Sequence, residues 1–297
     1  MPATSSRNGT SAPPGGFVRC ALPLILAIAL ATTLGSCTGG EPAVTPTTTR
    51  TSPPAPTPSA VPAADPAAFA EAARTAGTPV RAGDLTLRAA APLTAVTVTA
   101  QDDGSAVLTF AVAPAPDTEP GDGTDADRLA AVLAAPPGVG FDVRTDRSVA
   151  LTGSTGTVVG ALPPARVVDA AGNRLSARLA ARAGDPTLLD VLVGAGPAGA
   201  ATLTFGATPL VSAVWGDREG GRSLAVVPAT WVRTGGVAAQ EALWSALVAA
   251  EPDADSTSMH DQLTCHALGA PTKDSWNLEP WRPAVDSLTL LATRCNP

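Results

Sequence analysis

From residue 65 onward the apolar positions recur mostly with period two, the repeat of strands that turn one face to a core. Val96 and Val98 alternate with Thr97 and Thr99, and Asp102-Asp103-Gly104 turns the chain into Val107-Leu108-Thr109-Phe110, which predicts a hairpin. Strands are also expected over 85–87, 93–99, 139–143, 149–151, 157–162, 165–168, 175–180, 188–193, 201–205, 210–215 and 224–227. Asp65-Pro66 starts a helix with Phe69, Ala72 and Ala73 on one face, and Gly77 and Pro79 stop it. One segment breaks the period: Leu129, Val132 and Leu133 fall at helical spacing, so Asp125 to Ala135 is expected to be a helix between strands. Short strands separated by Gly, Pro, Asp and Asn turns predict a mainly β fold, sandwich- or barrel-like, with a few helices. Ala106-Val-Leu-Thr-Phe110 echoes Ala201-Thr-Leu-Thr-Phe205, too short a likeness to imply duplication.

The aromatic residues shift the picture near residue 212. All five Trp lie between Trp215 and Trp281, and Tyr is absent. Behind a β-rich domain over 66–211, residues 212–297 therefore read as a small α+β module with its own core. A helix is expected from Val237 to Ala250, its stripe formed by Leu243, Trp244, Leu247 and Val248. Ser258-Met259-His260-Asp261 has the form of a capping box for a second helix through Cys265-His266. Pro280 and Pro283 keep the following loop out of helix, and Ser287 to Cys295 is expected to close the module as a strand.

At the other end, Arg7 and Arg19 precede the apolar run Cys20 to Leu34, with no acidic residue before Glu41. A basic start, a short apolar core and a small-residue exit make a signal peptide over 1–36, since a span of 15 residues falls short of the roughly 20 that cross a bilayer. Leu34-Gly35-Ser36-Cys37 resembles a bacterial lipobox. The resemblance implies cleavage before Cys37, acylation of that cysteine, and attachment through lipid to the outer face of the plasma membrane, with release or secretion as the alternative. Two or more acyl chains hold a protein firmly, at about 0.8 kcal/mol per buried methylene. Residues 37–65 read as a disordered tether. Eight Pro and seven Thr between Thr38 and Pro66 favour extended conformers reaching about 90 Å, enough to pass through cell-wall polymer.

With 19 Lys and Arg against 26 Asp and Glu, the net charge is −7, which excludes nucleic acid as an expected partner. Val191 to Ala200, with Gly194, Gly196 and Gly199, resembles the dinucleotide fingerprint of flavin enzymes. The period-two run Ala201 to Phe205 behind it predicts strand, turn and strand rather than the helix that would hold a pyrophosphate, so no cofactor is expected. The chain has two His, His260 and His266, and one Lys, Lys273; it lacks a zinc-protease His-Glu-x-x-His, a Gly-x-Ser-x-Gly elbow and a Ser-x-x-Lys pair. If the C-terminal module is an enzyme, His266 is the candidate base, Asp261 or Glu279 its orienting carboxylate and Arg282 an anion holder. The structural alternative makes Asp261 a helix cap, His266 a satisfied core residue and Glu279 with Arg282 a loop ion pair. Trp276 and Trp281 either stack on sugar rings or fill the core.

The span from about Trp215 to Pro297 resembles an uncharacterised C-terminal domain of secreted actinobacterial proteins. The resemblance is carried by Gly220-Gly221, Ser223-Leu224, Met259, Asp261-Gln262, Cys265-His266, Trp276 to Pro283 and Cys295-Asn296-Pro297. It implies a secreted or envelope location and no particular activity. With Cys20 removed and Cys37 acylated, Cys265 and Cys295 are left, and in an oxidising compartment two remaining cysteines should pair. The alternative is a zinc site from Cys265, His266, His260 and Cys295. The leading expectation is a non-catalytic envelope lipoprotein that serves as a binding or structural module, with cell-wall glycan or an envelope protein as its partner; the alternative is an extracellular hydrolase with its site around His266.

Overall fold

The computed structural model describes residues 65–115 and 127–297; the signal segment, Cys37 and the Pro/Thr-rich stretch through Ala64 lie outside them. After α1 (Pro66–Ala76) come β1 (Thr78–Ala82), β2 (Leu85–Ala90), β3 (Thr97–Ala100), β4 (Ala106–Val112) and β5 (Arg128–Ala134). A meander follows in β6 (Val139–Val143), β7 (Val149–Gly153) and β8 (Val158–Leu162), then β9 (Arg166–Asp169), β10 (Arg174–Leu175), β11 (Ala177–Arg182), β12 (Asp185–Val193) and β13 (Gly199–Phe205). The last third holds β14 (Leu210–Arg218), β15 (Gly221–Pro228), α2 (Gly236–Ala250), α3 (Thr257–Gly269), β16 (Trp276–Leu278) and α4 (Ser287–Ala292).

Two five-stranded antiparallel sheets, ordered β1-β2-β5-β12-β11 and β10-β9-β13-β4-β3, share one core. Leu87, Leu133 and Val191 enter it from the first sheet, Leu108, Leu203 and Phe205 from the second, and Phe141, Leu151 and Leu162 from the β6-β7-β8 meander. The two echoing pentapeptides are neighbours here: β4 and β13 pair antiparallel, with Ala201 opposite Phe110, Leu203 opposite Leu108 and Phe205 opposite Ala106. Gly194 to Ala198 connect β12 to β13 in the other sheet, so the glycine-rich run is a strand-to-strand turn that opens no helix.

A second core lies in the last third. Leu224, Val226, Trp276 and Leu278 of the three-stranded sheet β14-β15-β16 pack with Ala242, Leu243 and Leu247 of α2 and Met259 and Leu263 of α3. Ala150 and Ala161, on β7 and β8, join this second core while Leu151 and Leu162 beside them join the first. The meander is thus shared by both, its strands turning alternate residues to opposite sides. The disulfide Cys265–Cys295 closes the C-terminal region, with Cα atoms 5.6 Å apart, and buries Leu290 beside it.

Several elements differ from the sequence reading. Within the span expected as a helix, Arg128 to Ala134 form β5, the central strand of the first sheet. Ala130, Ala131 and Leu133 face the main core, whereas Val132 and Ala134 lie under Ala70 and Ala73 of α1. A strand buried on both faces is a continuous apolar run and fits the helical period as well as its own. The first helix does stop where expected, at Ala76, and Pro79 beyond it sits in β1 at the sheet edge, where proline is tolerated. The strand expected over 175–180 is split at Ser176, with β10 and β11 in different sheets. Ser287 to Cys295 is no strand: Asp286 accepts from the N–H groups of Leu288 and Thr289 and starts α4. Nor does Ser258 begin α3. Ser256 is the N-cap, accepting from Met259 N–H, and Asp261 lies inside the helix.

Candidate functional site

Three elements bring the C-terminal candidates together: the β14–β15 hairpin, α3, and the loop that leaves β16. Gln262, fully buried on α3, binds the loop at Glu279 from both sides, accepting from Glu279 N–H at 2.9 Å and donating to Glu279 O at 3.0 Å. Gln262 also donates to Ser258 Oγ at 3.1 Å, and that hydroxyl donates to Arg282 O at 2.9 Å. A single polar side chain therefore replaces the missing ladder partner of the strand's end, as a buried peptide group requires.

Arg282 is the centre of the arrangement. Its side chain is 8% exposed and forms an ion pair through Nε with Glu279, itself 1% exposed. Nη2 donates to Glu219 at 2.6 Å and Nη1 to the main-chain oxygen of Pro297 at 2.9 Å. Glu219 is half-exposed and comes from the hairpin turn, so a guanidinium ties that turn, the loop and the last residue together. A buried guanidinium tolerates desolvation only when its donors are so engaged. Arg282 also lies over Trp281, 4.5 Å from the ring centroid.

The two tryptophans of the candidate platform take different places. Trp276 is completely buried, donates through Nε1 to Ala270 O at 3.1 Å and belongs to the second core, so it offers no surface for a ligand. Trp281 is 46% exposed. Its five-membered ring packs against Gly221, where a Cβ would stand 2.3 Å from Cδ1 and 2.4 Å from Nε1, so only glycine fits beneath it.

His266 is buried on α3 beside Cys265, its Nε2 donating to Asn277 O at 3.1 Å, while Nδ1 has no partner among the described residues. Burial pushes its pKa below the ordinary histidine value, and Lys273 adds to this, against the opposing hydrogen bond to Asn277 O and the charge of Glu279. Glu279 is thus within electrostatic range, but its carboxylate is held by Arg282, and Asp261 is not hydrogen-bonded to His266 or Arg282. Among the described residues no carboxylate is hydrogen-bonded to His266, which is 3% exposed. Among the described residues no group of three or more His, Cys, Asp or Glu is placed to hold a metal ion, and Cys265 and Cys295 are joined to each other in place of the alternative zinc set.

Sequence reasoning missed Glu219 as a partner of Arg282, 63 residues away, and Arg233, whose guanidinium donates to Pro271, Lys273 and Asp274 carbonyls and so shapes the turn before β16. Neither has a local signal. Gly220, Gly221, Gln262, Trp281 and Arg282 are scattered in sequence yet form one assembly, and it coincides with the residues that carry the resemblance noted above.

Residues 210–297 match the family DUF2599, described as "Protein of unknown function". The DUF2599 segment begins at the first residue of β14 and so includes the whole three-stranded sheet. An uncharacterised protein of Mycobacterium tuberculosis, Rv0477, and one of Mycobacterium bovis, Mb0487, are each 43% identical over 93 residues, covering 29% of this chain and 61% of the relative. An uncharacterised protein of Mycobacterium leprae, ML2452, is 43% identical over 65 residues, covering 20% of this chain and 53% of the relative. The chain thus spans about three-fifths of the length of the first relatives it matches. No solved structure matches it.

Proposed function

We propose that this is a lipid-anchored envelope protein whose C-terminal domain binds rather than catalyses. In this reading residues 1–36 are removed, Cys37 carries the lipid at the outer face of the plasma membrane, and 37–65 hold a β-rich body (66–211) and the C-terminal domain (212–297) out in the wall. The partner is a cell-wall glycan or an envelope protein, with no nucleic acid involved. The observation that carries the non-catalytic reading is the burial of His266, Glu279 and Arg282 with their polar groups directed into the protein, while Trp281 alone of the singled-out aromatics presents half its surface.

The anchor is tested by fractionating cells that express the full chain or its Cys37→Ser variant. The parent is expected in the membrane fraction, labelled by fatty acid and lacking residues 1–36; the variant is expected unlabelled. Membrane retention of Cys37→Ser with residues 1–36 still attached would show a spanning anchor instead.

A further inference from the structure

We propose, independently of the binding reading above, that the β-rich body is the obligate partner of the C-terminal segment, which it grips through Asp-x-Ser turns, so that 212–297 does not fold apart from 66–211. Three turns of the body share one arrangement. In Asp103-Gly104-Ser105, Asp146-Arg147-Ser148 and Asp185-Pro186-Thr187, the carboxylate Oδ1 accepts from both the N–H and the hydroxyl of the residue two places on, at 2.5–3.1 Å. Oδ2 is left to face outward, and each time it reaches a different element. Asp185 pairs with Arg74 in the last turn of α1. Asp103 accepts from Trp231 N–H at 2.9 Å, and Asp146 from Val237 N–H at 2.8 Å. Two of the three turns therefore leave the body and hold the segment behind it.

The segment does not supply what these turns give it. α2 has Gly235 at its N-cap position and no side-chain cap of its own. Instead Asp146 takes the Val237 N–H and Ser148 Oγ takes the Ala238 N–H at 3.0 Å, so the first turn of α2 is capped from 91 and 90 residues away. Gly236 makes the room: its φ is +76°, and a Cβ there would stand 2.3 Å from Asp146 Oδ2. Burial opposes the charge on Asp146, yet the donors Ser148 and Val237 outweigh it and hold its pKa below the ordinary carboxylate value. Arg144, in the same β6–β7 loop, donates to Glu241 one turn further along α2 at 2.7 Å.

Apolar packing follows the same division. Trp231 rests its ring on Gly206, just past β13, and donates through Nε1 to Thr208 O at 3.3 Å. Ala150 and Ala161 of the meander, both fully buried, belong to one core with Ala242 and Leu243 of α2. Without the body, α2 loses its cap, Trp231 its seat and the second core one of its walls. Asp169 supplies the contrast: both its oxygens are used inside its own turn, by Ala171 and Asn173, and it holds no other element among the described residues.

Because all five Trp lie between Trp215 and Trp281, their fluorescence reports the segment alone, while far-UV circular dichroism reports the strands of the body as well. Urea unfolding of the full chain in detergent, followed by both signals, tests the coupling. Leu108→Ala opens the body's own core, in which Leu108 is fully buried and which the segment does not enter. Both midpoints are expected to coincide in the parent and to fall together in the variant. A fluorescence midpoint that stays at the parent's value while the dichroism midpoint falls overturns the proposal. If Leu108→Ala does not fold, its fluorescence is expected to be that of the unfolded chain; native fluorescence over an unfolded body overturns the proposal equally. Asp146→Ala tests the turn itself. It is expected to lower the fluorescence midpoint more than Asp169→Ala, which removes a turn carboxylate that holds nothing else, and equal shifts overturn the role given to the turn.

Discussion

Removing the charge of Glu279 while leaving Arg282 in place should be among the most destabilising single changes available in the C-terminal domain. In Glu279→Leu the guanidinium stays 8% exposed and loses its buried counter-charge, keeping Glu219, which is 53% exposed and screened by water, and the Pro297 oxygen. Leaving one member of a buried ion pair uncompensated costs about 3–5 kcal/mol. Arg282→Met should cost a similar amount, because it strands Glu279. The double variant replaces both charges by apolar groups and removes the stranded charge, so its cost should fall well below the sum of the two, with a coupling of about 2–3 kcal/mol. Urea unfolding with the disulfide intact measures all three, read as shifts in midpoint at constant slope. Single variants that each cost less than about 1 kcal/mol, or strictly additive costs, would refute the claim that this pair is buried and coupled.

Four further outcomes follow from the same geometry. Replacing Cys265 and Cys295 by Ser, which opens a loop with a sequence separation of 30, should cost about 4 kcal/mol and be seen as a lowered urea midpoint that reductant reproduces in the parent. His266 has a lowered folded pKa, so the unfolded chain takes up its proton first as pH falls; stability should be full above about 6.5 and decline below it, and His266→Gln should flatten that part of the stability-versus-pH curve. Gly206→Ala would place a Cβ 2.2 Å from the ring of Trp231, which is 4% exposed and tied by its N–H groups to Asp103 and Thr208; calorimetry should show a loss of about 1–3 kcal/mol. Val132→Asp, on the α1 side of β5, should prevent folding of the sandwich, whereas a surface helix at this position would tolerate it; circular dichroism separates the two.

The sequence carried the sheets well where one face of a strand is wet. β4 and β13 alternate cleanly because their outer residues meet solvent or a neighbouring layer, and Asp103-Gly104 marks the turn between β3 and β4. β5 was illegible because α1 covers its second face, which erases the alternation. α4 misled for the opposite reason: Ser287-Leu288-Thr289-Leu290 alternates, yet only Leu290 is buried and the decisive signal is the Asp286 cap. The disulfide was legible by cysteine arithmetic alone. At the candidate site, residue types pointed to the right loop, but type cannot separate Trp276 from Trp281. The difference lies in strand parity, since Trp276 faces the helices from β16 while Trp281 lies past the strand's end against Gly221. Glu219 and Gln262 were invisible as partners because long-range polar contacts leave no periodicity in the chain.

Sedimentation of the unlipidated full chain (Cys37→Ser, taken as the parent) with purified lipid-free cell wall, comparing it with its Trp281→Ala and His266→Gln derivatives at matched folded fraction, tests the central claim most directly. The account predicts that Trp281→Ala is lost from the pellet while His266→Gln sediments like the parent. Normal sedimentation of Trp281→Ala, with envelope material released by the parent and not by His266→Gln, would contradict it and place a hydrolytic site at His266.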